Sequence, residues 1–187
     1  MTSQKYARLI DEAGQGPTLV VLRDASSPSK SVAVLAKDFR VLSFAIDPKA
    51  GAADAVRDLG AALGERNITE AGIIADAAAA PTAIAFAVAQ PELAQSVALL
   101  SPSGSVGDVT NLKVPVMAMF GTSDTTRAPD TPKAFCQSIP NCRLVYVSDA
   151  DRAVDDERPE AVSAALQDFA IRREGYLVNA KRGNLYP

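Results

Sequence analysis

The chain has 187 residues and no histidine. No imidazole is present to act as general base, metal ligand or switch near neutral pH. Ser-His-Asp and Cys-His mechanisms are therefore excluded within the chain. The groups left for chemistry are carboxylates, hydroxyls, lysines and two thiols. Asp76 stands before an alanine-rich stretch and suits the N-terminus of a helix as its cap. Ser101 and Ser103 lie in a Ser-Pro-Ser-Gly segment that turn chemistry explains. Asp149, Asp151, Asp155, Asp156, Glu157 and Glu160 form an acidic run. A calcium loop needs acids at alternate positions and then a glycine; Arg152 and Ala153 interrupt the pattern, so the run reads as a solvated loop, with a hard-cation site as the alternative. Lys30, Lys37, Lys49, Lys113 and Lys133 have no evident serine partner. Cys136 and Cys142 are too few for a structural zinc and read as reduced thiols, with a short local disulfide as the alternative. No metal and no cofactor are expected.

These residues need a scaffold, and the hydropathy pattern supplies one. Short continuous apolar runs recur at Thr18–Leu22, Phe39–Ala45, Ala71–Ala75, Ser96–Leu100, Val114–Phe120 and Cys142–Val147. Such runs suit strands buried on both faces of a parallel sheet. Tyr6–Ile10 is expected to add an antiparallel edge strand. Helical patterns lie between the runs: Ser31–Lys37, Ala52–Leu63, the almost wholly apolar Ala78–Gln90, Thr131–Ile139, and Arg158–Arg172, which opens with a proline. The expected fold is α/β, a doubly wound, mostly parallel sheet with helices on both faces. The whole chain, 1–187, reads as one domain with a basic tail over 172–187, carrying Arg172, Arg173, Lys181 and Arg182 against Glu174.

Composition narrows the partners. With 48% hydrophobic residues and a net charge of −3, the chain has a core-forming composition and no nucleic-acid footprint. Met1–Gly16 lacks the apolar stretch of a secretory signal, and no run approaches the ~20 apolar residues of a membrane helix. A cytoplasmic location and no membrane partner are expected.

The order of these segments resembles the α/β-hydrolase family from about Gly16 to Ala170. Gly16–Leu22 resembles the strand before the oxyanion turn, and Phe39–Asp47 the next strand with its trailing aspartate. Ala71–Pro91 resembles the nucleophile strand, elbow and helix, with Gln90-Pro91-Glu92 at its exit. Val114–Asp124 resembles the strand that delivers the catalytic acid, and Glu157-Arg158-Pro159-Glu160 the segment after the catalytic histidine.

The resemblance also implies which residues stand at the catalytic positions. The elbow, G-x-S-x-G in the family, falls on Ala75-Asp76-Ala77-Ala78-Ala79, so Ala77 holds the nucleophile position. Arg152 holds that of the histidine. Arg23-Asp24 replaces the His-Gly oxyanion turn, and Asp24 would oppose an oxyanion there. Only Asp124 keeps its family type. With no nucleophile to strain, the elbow is expected to relax. An Asp76 nucleophile, as in dehalogenase relatives, would still lack a base. Asp124 and Arg152 are expected to meet as an ion pair replacing the acid–base pair, with Arg23, Asp24 and Asp76 at the same site. The connection Ser101–Lys113 is too short for a helical cap domain.

The leading functional expectation is a non-catalytic α/β-hydrolase-like binding, scaffold or regulatory protein, its partner a second copy or an active homologue. The alternatives are an esterase-like hydrolase with a histidine-free site, and a small-molecule carrier or sensor using the vestigial pocket. A fold by itself does not choose among them.

Overall fold

A computed structural model describes residues 5–24 and 29–173; the tail beyond 173 lies outside the described residues. The chain builds β1 (Ala7–Ala13), β2 (Thr18–Arg23), α1 (Lys30–Leu35), β3 (Arg40–Ile46), α2 (Ala52–Gly64), β4 (Ala71–Ala75) and α3 (Ala80–Ala89). It continues with β5 (Ala94–Leu100), β6 (Val116–Gly121), α4 (Thr131–Gln137), β7 (Cys142–Val147), α5 (Val154–Glu157) and α6 (Pro159–Arg172). The seven strands form one sheet in the order β1-β3-β2-β4-β5-β6-β7. β1 is antiparallel to β3 at one edge, and every other pairing is parallel.

The continuous apolar runs are explained by burial on both sides. Along β2, Val20 and Leu22 join one core cluster while Leu19 and Val21 join another. The first cluster lies under α2 and α3, through Leu59, Leu63, Ile84 and Phe86. The second lies under α1 and α6, through Leu35, Val162, Leu166 and Phe169. Alternate residues of a strand point to opposite faces, so a strand covered twice must be apolar throughout.

Two expectations change here. Cys136 and Cys142 are joined in a disulfide, with Cα atoms 5.4 Å apart. The turn after α4 returns the chain within bridging distance, which six residues of separation did not reveal. The acidic run is not wholly a solvated loop: its centre is α5, and Asp155 is buried. Val154, fully buried in the second core cluster, draws this turn against the sheet.

Ser101–Pro115 forms no helix or strand, and it covers the sheet with Val106, Leu112 and Val114.

Candidate functional site

Parallel strands end on the same side of the sheet, so β2, β4 and β5 deliver their last residues to one edge. β2 ends in Arg23, with Asp24 next; β4 is followed by Asp76 and Ala77. Opposite them runs the segment after β7. It is pinned by hydrogen bonds from Ser123 N to Ala150 O, from Asp149 N to Thr122 Oγ1 and from Asp151 N to Glu157 Oε2. Gly121 lets it lie close, since a Cβ there would fall 2.1 Å from the carbonyl oxygens of both Ala150 and Asp151. Together these elements enclose an open cleft of about 350 Å³ whose walls include Arg23, Asp24, Asp76, Ala77, Ser103 and Arg152.

The centre of the cleft is a charge cluster. Arg23 is nearly buried and faces three carboxylates: Asp76 at 3.8 Å, Asp155 at 3.6 Å and Asp156 at 3.5 Å. Lys30 closes the α1 side, donating from Nζ to the Asp156 carbonyl at 2.9 Å. Burial is the main influence on Asp76 and pushes its carboxyl up to about 6. A hydrogen bond from Ala79 N pulls the other way, and the Asp24 charge adds to the rise. Asp155 is raised as well, by burial first, with Arg23 opposing.

The residues expected to form the elbow are unstrained. Ala77 is not among the residues with positive φ, and residues 77–79 form a turn before α3. Asp76 Oδ1 accepts from Ala79 N at 3.1 Å, so it caps that turn rather than the first residue of the helix. Its Oδ2 accepts from Asp24 N at 3.3 Å, tying the residue after β2 to the residue after β4.

The expected Asp124–Arg152 pair does not form. Asp124 accepts from Arg127 Nε at 2.6 Å and from the amide and hydroxyl of Thr126. Arg127 also donates to the carbonyls of Ser101 and Pro102, and its guanidinium lies 5.2 Å from the Phe120 ring centre. Asp124 thus faces a separate groove, while Arg152 is exposed on the rim of the cleft with no ion pair among the described residues. An arginine three residues away in the same turn wins because it closes a local loop, whereas Arg152 would have to order a distant one. Arg127, Asp155 and Asp156 are the site residues that the sequence did not single out for these roles. The three-residue spacing from Asp124 was the available signal for Arg127.

No group of three or more His, Cys, Asp or Glu among the described residues is arranged to hold a metal ion. Chemically, the cleft offers a methyl group at Ala77, the Arg23 guanidinium among three carboxylates, and one carboxyl, Asp76, that exchanges its proton near pH 6.

At the level of sequence, no family model matches the chain and no curated protein matches it. At the level of structure the likeness is extensive. MGS-MChE2, an α/β-hydrolase enzyme from the metagenome of sediments of the Mar Chica lagoon in Morocco, superposes with a TM-score of 0.75 at 16% identity, over 87% of this chain and 94% of that one. A thermophilic esterase from Thermogutta terrifontis gives 0.75 at 14% identity, over 89% and 93%. The carboxylesterase CesB from Bacillus subtilis gives 0.72 at 14% identity, over 87% and 90%. The chain has the α/β-hydrolase fold.

Proposed function

We propose that this protein is a non-catalytic member of the α/β-hydrolase fold that acts by binding, as a scaffold or regulatory subunit. The observation that carries the reading is Ala77, at the position expected of a nucleophile, in the wall of a cleft occupied by the Arg23 charge cluster. A nucleophile needs an attacking atom beside an activating base; position 77 supplies only a methyl group, and no hydrogen bond among the described residues joins the Ser103 hydroxyl to Asp76. The partner we favour is a second copy of the chain or an active homologue. We place it in the cytoplasm, where the Cys136–Cys142 disulfide would meet a reducing thiol pool; among the described residues no helix is long and apolar enough to cross a membrane.

A second reading has one observation in its favour. Asp76, with its proton affinity raised toward neutrality, is suited to act as base in a histidine-free hydrolase. Incubating the pure protein with a fluorophosphonate probe and a panel of activated esters separates the two. The binding reading expects no labelling and no turnover above buffer. Stoichiometric labelling, or turnover lost in Asp76→Asn, would overturn it. Size-exclusion chromatography of the same sample reports whether the partner is a second copy.

A further inference from the structure

We propose that the Cys136–Cys142 disulfide is a redox-reversible latch on α4, and that its state sets the shape of the groove between α4 and β7. The helix has only seven residues, about two turns, too short to persist without tertiary support. That support is thin: Pro132 and Cys136 are its buried residues, and Phe135 is half-buried, its ring edge-on to Phe120 at 5.9 Å. The disulfide joins the last turn of the helix to the first residue of β7. β7 is itself the edge of the sheet, and β6 is the one strand it pairs with among the described residues.

The two tied elements are the two walls of a groove of about 390 Å³. Pro132 comes from α4 and Tyr146 from β7, with Phe120, Asp124, Arg127 and Pro129 between them. Tyr146 is one of two large apolar side chains exposed among the described residues. The latch therefore holds the foot of the helix whose head forms the groove wall. Reduction frees the helix and not the strand. Ile139 stays buried in the core, and Val116 N still donates to Asn141 O, so the chain is anchored again before β7 begins.

The reductant is a dithiol. Cys142 is the less buried of the two residues and so the one we take as attacked. A thiolate of the dithiol attacks Cys142 Sγ, the protein S–S bond breaks, and the electron pair leaves on Cys136 Sγ, which takes up a proton. The second thiol then attacks the mixed disulfide, releases Cys142 as a thiolate that is protonated in turn, and leaves the dithiol oxidised. Two electrons and two protons pass to the protein.

The test uses the full chain, oxidised or treated with dithiothreitol under native conditions. Alkylation followed by mass spectrometry counts free thiols, and hydrogen exchange is read over residues 131–137 and, as control, 80–89. The latch expects two free thiols, exchange in 131–137 at least tenfold faster, residues 80–89 unchanged, and recovery on reoxidation. Cys136→Ser should match the reduced protein. A bond that opens only in denaturant would overturn the proposal, as would one that opens with the exchange of 131–137 unchanged. The dithiothreitol arm needs no mutation, so it remains decisive should the variant fail to fold.

Discussion

Arg127 Nε lies 2.6 Å from Asp124 Oδ2, so the carboxylate that follows β6 already has a cation of its own. The same guanidinium reaches back to the carbonyls of Ser101 and Pro102. One side chain therefore joins the exit of β6 to the exit of β5. The Asp124 carboxylate is thus committed to holding loops together.

That commitment predicts a stability effect. The Asp124 side chain is 3% exposed, so Arg127→Ala leaves a buried carboxylate with only Thr126 to satisfy it. Removing one partner of a partly buried, hydrogen-bonded charge pair costs roughly 1–3 kcal/mol. Denaturant unfolding should show that loss, and the double change Asp124→Asn with Arg127→Met should lose less, because no charge is stranded. Burial pushes the Asp124 carboxyl up, but its hydrogen bonds from Thr126 and Arg127 together hold it below the ordinary value. Its contribution is therefore present above about pH 4. It fades as pH falls through the lower, folded value, and Arg127→Ala should weaken that acid-side loss. Equal losses in the single and double variants would refute this assignment.

Asp76 works with the opposite sign. Folded, it keeps its proton up to about 6; unfolded, it releases it near 4. Between those values the folded chain binds the extra proton, so stability declines as pH rises from about 4 to 6 and stays lower above. Asp76→Asn should flatten that slope and raise stability at pH 7 by roughly 2 kcal/mol. Some slope should persist, because Asp155 is shifted in the same direction. Unfolding midpoints at pH 4.5 and 7.5 for both proteins provide the check; an unchanged slope in the variant would remove Asp76 as its source.

The contrast between these two carboxylates shows what the sequence could and could not reveal. Leu19 to Leu22 had to be a strand covered on both faces, because four consecutive apolar residues fit no half-exposed strand, and all four are buried. Arg23, Asp24, Asp76 and Ala77 follow strand ends, and parallel topology alone gathers them. Arg152 and Asp124 depend instead on how two loops lie, and loop conformation follows from local hydrogen bonds that no periodicity records. The disulfide and the burial of Asp155 are of that second kind. Each depends on a turn of a few residues folding back on the sheet.

Rebuilding the catalytic residues at their expected positions should not restore activity. Ala77→Ser with Arg152→His supplies a hydroxyl and an imidazole, but Asp124 remains bound to Arg127 and faces the separate groove. The imidazole then lacks the carboxylate that orients it and stabilises its charged form. Asp24 still borders the cleft where an oxyanion would develop. The double variant should show ester turnover and fluorophosphonate labelling no greater than the parent's. Labelling of the introduced hydroxyl approaching one equivalent would mean that the two loops rearrange readily and that Asp124 is available after all.

The position of Arg152 depends on Gly121. At the end of β6 this residue lets the backbone at Ala150 and Asp151 cross within a distance that no side chain permits, and the nearest atoms there are carbonyl oxygens that cannot swing aside. Gly121→Ala must therefore displace the segment or the strand end. Overpacking of this kind typically costs about 1 to 3 kcal/mol, and the rigidity of the backbone places this case at about 3 kcal/mol. The displaced segment carries Ala150, which lies wholly within the second core cluster, so the loss should appear in global unfolding and not only in the loop. Gly60, where an added Cβ would meet nothing within 4 Å, is the matched control: Gly60→Ala lies within α2 and should stabilise by about 1 kcal/mol through helix propensity alone. Comparable effects of the two substitutions on the unfolding midpoint would show that the crossing at Gly121 does not fix the segment bearing Arg152.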